Sequence, residues 1–201
     1  MKLLLSFILL VVLPASAQWR RFGTPTVRPE GFVGVGFATP VNPLATRLDA
    51  GWSLAGGIGV KHGYVGIMLD AVFADFGITQ SSLALARARS GNQKYWAVTV
   101  DPIFHVNERG PIDFYITGGG GIYSQITEYK AASDLVGRNS GRFDLISSYT
   151  VFKPGVNAGA GFSFSLPEFS KIKIFTEARY HHVFTRGSGA SFIPITVGVR
   201  F

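Results

Sequence analysis

Apolar residues alternate with polar or small residues in eight separate segments of the chain. The last segment, FIPITVGVRF, places Ile193, Ile195, Val197, Val199 and Phe201 on one face. A period of two residues is typical of a β-strand with one apolar face. The other seven segments are Gly31–Ala38, Trp52–Val60, Tyr64–Phe73, Tyr95–Val106, Ile112–Tyr123, Val151–Phe164 and Lys171–Phe184. The pattern predicts an all-β fold with eight strands.

The connections between these segments differ in length from one end of the predicted sheet to the other. KHG, NERGP and PEFS are short, Thr185–Ser191 is intermediate, and three connections are long: Thr39–Gly51, Ala74–Lys94 and Lys130–Ser148. Short and long connections alternate along the chain. This indicates an antiparallel up-and-down meander in which all the short connections lie at one end. Transmembrane β-barrels have this asymmetry, with tight periplasmic turns and longer external loops.

Alternation alone does not say which face looks outward, because a soluble eight-stranded barrel keeps its apolar face inside. Three features favour the membrane arrangement. Closing the sheet satisfies every backbone group in lipid, and it needs no disulfide in a chain without cysteine. Aromatic residues of the apolar face cluster near both strand ends, as in the interfacial girdles of outer-membrane barrels. Charged residues lie on the opposite face, where they would escape lipid: Asp70, Asp101, Asp113, Lys153, Glu177, Arg179 and Arg200.

The first 17 residues have the pattern of a secretory signal peptide. Lys2 precedes an apolar run from Leu3 to Leu13, and small residues follow at Ala15 and Ala17. The alternative, a membrane anchor, is disfavoured because the run is too short to span a bilayer. We therefore predict a signal peptide at 1–17, a periplasmic N-terminal lead at 18–30 and a transmembrane barrel at 31–201.

The eight segments and the terminal strand ITVGVRF resemble the small outer-membrane β-barrel superfamily that includes the OmpA transmembrane domain and OmpX-like proteins. The resemblance implies a monomer in the outer membrane of a Gram-negative bacterium, in contact with lipid and lipopolysaccharide. It also implies that Ile195, Val197, Val199 and Phe201 form the signature read by the barrel-assembly machinery. Phe201 is equally compatible with a role as a girdle aromatic.

The lumen of an eight-stranded barrel is only wide enough for side chains to fill it. We therefore expect its charged residues to form a structural polar network: Asp70, Asp101, Lys153, Glu177 and Arg179. Neighbouring carboxylates repel one another unless a cation reaches them, so Asp70 and Asp101 need a partner from the opposite wall. No cofactor, metal or catalytic residue is expected.

Two other chemical interpretations of the sequence are weaker. Some eight-stranded outer-membrane barrels that resemble this one modify lipid A with a His, a Ser and a carboxylate. The stretch EARYHHVFTRGSG offers such residues, but it contains no His-x-Ser spacing, and Glu177 has the parity of the lumen. The GGGG run at Gly118–Gly121 lacks the Lys-Ser/Thr and the helix of a phosphate-binding loop.

The external loops carry more basic than acidic residues, and arginine is well suited to phosphate. The formal net charge of +7 permits nucleic-acid binding, but an exported barrel would not meet nucleic acid. The sequence predicts a non-enzymatic outer-membrane barrel with a structural or surface-interaction role through its loops. The alternatives are a narrow channel for small or apolar solutes and, less favoured, a lipid A-modifying barrel enzyme.

Overall fold

The computed structural model describes residues 27–86, 88–107, 110–131, 145–166, 169–185 and 189–201. Eight antiparallel strands pair in sequence order, and β8 pairs with β1, so the sheet is a closed barrel. This confirms the predicted all-β, up-and-down fold. The strands are β1 (Val27–Val41), β2 (Gly51–His62), β3 (Val65–Gly77), β4 (Ala88–His105), β5 (Ile112–Ala131), β6 (Leu145–Leu166), β7 (Phe169–Val183) and β8 (Ala190–Arg200). The predicted signal peptide and most of the predicted lead lie outside the described residues.

Several strands are longer than the alternation indicated. β1 begins at Val27 rather than Gly31, so four residues assigned to the lead belong to the barrel wall. β4 begins at Ala88, β5 ends at Ala131 and β6 begins at Leu145, within the segments expected to be long loops. Beyond the lipid both faces of a strand meet water, so no apolar alternation is required there and the sequence signal fades.

The short connections lie at the inner end of the barrel. Residues 63–64 join β2 to β3, and Gly63 takes a φ of 57°, a left-handed conformation that glycine adopts without strain. The outer connections carry a 3₁₀ turn, Leu44–Thr46, and a short helix α1, Gln80–Leu85. Within the described residues, no helix has the length and apolar character needed to cross a membrane.

The two walls of the barrel have opposite polarity. The outer wall exposes apolar side chains from every strand, among them Val35, Ile67, Val98, Ile122, Val156, Ile174 and Val197. Near the outer end the rings of Trp52, Phe73 and Trp96 form a row with centroids 4.9 and 4.7 Å apart. Phe114 and Phe162 make a similar contact near the inner end, at 5.2 Å. Apolar side chains exposed on the outer wall and charged side chains buried in the lumen match the lipid-facing arrangement, and the soluble-barrel alternative fails.

Candidate functional site in the barrel lumen

Arg179 lies at the centre of the lumen and binds three carboxylates. Its Nη1 donates to Asp70 Oδ2 at 2.7 Å and to Asp101 Oδ2 at 2.8 Å, and its Nε donates to Glu177 Oε1 at 2.7 Å. All four side chains are buried. The strands bring them together because Asp70 comes from β3, Asp101 from β4 and the other two from β7. We call these four residues the central ion cluster.

Neutral groups fix the central ion cluster to the wall. Thr99 Oγ1 donates to Asp101 Oδ2 at 2.6 Å, and Asn157 Nδ2 donates to Asp101 Oδ1 at 2.8 Å. Charge-assisted bonds of this kind are among the stronger hydrogen bonds in proteins. In the described part of the chain, no group of three or more His, Asp or Glu side chains is arranged to hold a metal ion. The cation that the carboxylates share is the guanidinium of Arg179.

Lys153 does not join the central ion cluster. It lies nearer the outer end of the lumen, and within the described residues it forms no ion pair with the three carboxylates. Four of the five residues expected in one network are therefore in contact, and the fifth is separate. The parity of Lys153 was predicted correctly, but parity carries no information about depth along the barrel axis.

Glycines on the lumen face give room to large side chains. A Cβ at Gly155 would lie 2.6 Å from Tyr123 Cε2, and one at Gly119 would collide with Val100 O and with the Asp101 carboxylate. These glycines therefore let neighbouring groups pack closely inside a curved sheet. Space freed by these glycines is occupied by other residues rather than left as a hollow.

An aromatic layer covers the outer side of the central ion cluster. The ring of Phe192 lies 5.6 Å from Phe76, 5.2 Å from Tyr95 and 5.0 Å from His181, measured between centroids. Tyr123 Oη and His181 Nδ1 are 2.8 Å apart and hydrogen bonded. All five side chains are at most 1% exposed. We call this layer the aromatic septum. Phe76 falls in a segment that was expected to be a long loop, and nothing in the sequence indicated that the five residues would meet.

A second polar group fills the inner end of the lumen. Glu30 Oε1 lies 3.7 Å from Arg200 Nε and 3.8 Å from Lys61 Nζ, and His105 Nδ1 is hydrogen bonded to Asp113 Oδ2. The Arg200 guanidinium also stacks over the ring of Tyr115, with its Cζ 4.2 Å from the centroid. Sequence reasoning missed this group because Glu30 was assigned to the lead rather than to the barrel wall.

A cavity of about 420 Å³ opens at the outer end of the lumen. We call it the outer vestibule, and the side chains that give it its character are Arg47, Gln93, Tyr95, Gln125, Tyr149 and Lys153. Tyr95 belongs to both the vestibule and the aromatic septum, so it separates the cavity from the central ion cluster. Arg47 comes from the β1–β2 connection and the others come from β4, β5 and β6.

A hydroxyl–imidazole contact lies on the outer wall, between β7 and β8. Antiparallel pairing sets His182 opposite Ser191, and His182 Nδ1 is 2.8 Å from Ser191 Oγ. Tyr180 Oη also donates to Ser191 Oγ, at 2.7 Å. The sequence has no His-x-Ser spacing here, but cross-strand pairing brings together a histidine and a serine that are nine positions apart. Ser191 is only 3% exposed, and no described carboxylate orients the ring of His182.

No family model matches the sequence, and no curated protein matches it either. Solved structures do match its fold. The chain is similar to the Neisserial surface protein A, with 12% identity, a TM-score of 0.59, and coverage of 87% of this chain and 97% of that one. It is also similar to a major outer membrane protein from Thermus thermophilus, with 11% identity, a TM-score of 0.60, and coverage of 87% and 98%.

These matches extend over nearly the whole length of both known proteins. At such low identity they show the fold and leave open the ligands and partners. The closed eight-stranded topology, the apolar outer wall and the polar lumen agree with that fold independently. The chain therefore has the fold of small bacterial outer-membrane β-barrels, and the apolar outer wall fits a barrel that spans a membrane.

Proposed function

We propose that the protein is a non-enzymatic, non-conducting barrel that serves as a structural element and an interaction surface of the outer membrane. Its outer mouth and external connections meet soluble partners. Its lateral wall meets lipid and lipopolysaccharide, and its terminal strand engages the barrel-assembly machinery. The observation that carries the proposal is the central ion cluster, which fills the middle of the lumen.

A barrel of this size conducts only if its interior leaves a continuous path. Here the inner polar group, the central ion cluster and the aromatic septum follow one another along the axis. Arg179 reaches across the lumen from β7 to β3 and β4, and each of its bonds is 2.7–2.8 Å long. Moving that guanidinium would leave three buried carboxylates without a cation, which is costly. This favours a stable plug over a gated pore.

The Ser191–His182 contact does not favour catalysis. An activated serine needs an accessible hydroxyl and a base that a third group orients. Ser191 Oγ already takes a hydrogen bond from Tyr180 and is buried, and the His182 ring packs edge-on against Phe184 at 5.1 Å instead of a carboxylate. We interpret this cluster as packing between two strands at the outer rim.

Single-channel recording in planar bilayers tests the proposal. The purified wild-type barrel is expected to give no steady conductance. Two variants serve as controls for the absence of conductance in the wild type. Arg179→Ala opens the middle one of the three filled layers and is expected to give at most brief openings, whereas Lys130→Ala, on an exposed side chain, is expected to stay as silent as the wild type. Reproducible discrete openings of the wild type, altered by Asp70→Asn, would instead establish the narrow-channel function.

A further inference from the structure

We infer that the outer vestibule is a binding site for a soluble sugar that bears a sulfate or phosphate group. The inference deepens the proposed function, on which it rests, by naming the ligand class of the outer mouth. The cavity volume of about 420 Å³ lies in the range of about 300–1,000 Å³ that is usual for small-ligand sites.

The charges of the vestibule select an anion. Arg47 and Lys153 both line it, and no carboxylate is among the described lining residues. Elsewhere in the described lumen each buried cation has an acidic neighbour, as Arg179 and Arg200 do. Within the same described residues, neither Arg47 nor Lys153 has an ion-pair partner. Two unneutralised cations in a concave site attract anions, and the planar guanidinium matches the oxygens of sulfate and phosphate.

The neutral side chains of the vestibule are suited to a sugar. Gln125 and Tyr149 supply an amide and a phenol that can bind hydroxyl groups, and the half-exposed ring of Tyr149 offers an aromatic surface, whereas Tyr95 is buried and closes the base of the cavity. Gln93 Nε2 donates to Tyr95 Oη and so fixes the base of the cavity. An aromatic surface with a few polar groups around it is typical of small-molecule sites.

The position of the vestibule separates a soluble ligand from a lipid headgroup. Its walls are the lumen faces of β4, β5, β6 and β8 together with the β1–β2 connection, so the sheet stands between the inner part of the cavity and the surrounding lipid. A ligand therefore enters along the barrel axis from outside the membrane. The phosphates of neighbouring lipopolysaccharide lie around the rim, on the other side of that wall.

The test uses the purified barrel in neutral nanodiscs and ligand-observed NMR titration. Glucose 6-sulfate is expected to bind, and glucose and inorganic sulfate are each expected to bind more weakly. Arg47→Gln and Lys153→Gln are each expected to weaken the affinity about tenfold, the loss of one charge-assisted hydrogen bond. Lys130→Gln removes the same charge from an exposed side chain outside the vestibule and is expected to have no effect.

Three results would overturn the inference: no binding of glucose 6-sulfate, equal affinity in Lys153→Gln and Lys130→Gln, or binding of inorganic sulfate as tight as that of the sugar. If lipopolysaccharide placed in the nanodisc competes with glucose 6-sulfate for the vestibule, the claim that the ligand is soluble rather than a lipid headgroup is wrong. β-Sheet circular dichroism of each variant shows that the barrel is intact. Bilayer recording of the same preparations keeps the two proposals apart, because conductance contradicts the proposed function without affecting the binding result.

Discussion

Gly31 and Phe201 exchange two backbone hydrogen bonds, from Gly31 N to Phe201 O at 2.8 Å and from Phe201 N to Gly31 O at 2.9 Å. The aromatic ring lies over the glycine, since a Cβ on Gly31 would be 2.8 Å from Phe201 Cε2. The pair continues the ladder that joins β8 to β1. Phe201 therefore has two positions at once. Its ring faces outward at the inner rim of the barrel, and its backbone forms, with Gly31, the last pair between β8 and β1, the two strands that close the barrel.

Deleting Phe201 is expected to lower the amount of folded barrel in the outer membrane and to leave export intact. The deletion removes both the terminal aromatic of the predicted assembly signature and the last pair of the seam. The measurement is the folded fraction in isolated outer membranes. Phe201→Trp, which keeps an aromatic ring and the backbone pair, is the control and is expected to assemble. Normal levels of folded protein after deletion would show that the signature interpretation is wrong.

Substitutions in the central ion cluster are expected to lower the free energy of unfolding by different amounts, depending on which member is replaced. Three carboxylates share one guanidinium, and Asp70 Oδ1 and Glu177 Oε2 have no hydrogen-bond partner in the described structure. Arg179→Met leaves all three charges uncompensated and is expected to lower the free energy of unfolding by about 3–5 kcal/mol. Asp70→Asn reduces the excess negative charge and keeps an acceptor, so its cost is expected to be about 1 kcal/mol.

Urea unfolding in lipid vesicles measures both variants, followed by tryptophan fluorescence, to which Trp52 and Trp96 of the barrel wall contribute. Lys130→Met is the control for the loss of a cation outside the lumen. If Asp70→Asn costs as much as Arg179→Met, the cluster is held by its individual hydrogen bonds rather than by the shared charge.

Adjacent glycines on β5 offer a second comparison. Gly119 faces the lumen, and a Cβ there would collide with Val100 O, so Gly119→Ala is expected to destabilise the barrel by about 1–3 kcal/mol. Gly120 faces lipid, where the nearest atom to an added Cβ is Gly155 O at 3.3 Å. Gly120→Ala is expected to change the free energy of unfolding by less than about 0.5 kcal/mol. Equal effects at the two positions would contradict the assigned faces of β5.

The polarity of the outer wall is tested at Val197, which is 53% exposed on β8. Val197→Arg is expected to destabilise the barrel in a bilayer by about 2–4 kcal/mol, the cost of arginine on the lipid face near the midplane. Leu85→Arg is the control, because Leu85 lies on α1 in an outer connection and its side chain is 89% exposed. The same unfolding measurement applies, and a Val197→Arg barrel as stable as the control would refute the lipid-facing assignment.

The sequence predicted the features that a bilayer imposes and missed those that depend on register or on loops. Val197 and Asp70 were assigned to the correct walls, because shifting a strand by one residue would turn its charged side chains toward lipid, which is energetically costly. The Ser191–His182 contact depends on how β7 aligns with β8, which no local pattern encodes. The vestibule depends on Arg47, which lies in the connection between β1 and β2, and no strand pattern predicts the path of a connection. The outer ends of β4, β5 and β6 were missed because they extend beyond the lipid, where apolar and polar residues need not alternate.

The bonds of Arg179 join residues that are far apart in the chain: 109 positions separate it from Asp70 and 78 from Asp101. Hairpins can pair with their neighbours one by one, but these bonds form only when the wall has curved round to bring β7 opposite β3 and β4. Contacts of such long range cost loop entropy before they give any stability. We therefore expect the Arg179 guanidinium to bind its carboxylates in the last step of folding. Loss of these bonds should accompany opening of the whole wall, so that the barrel unfolds cooperatively rather than strand by strand.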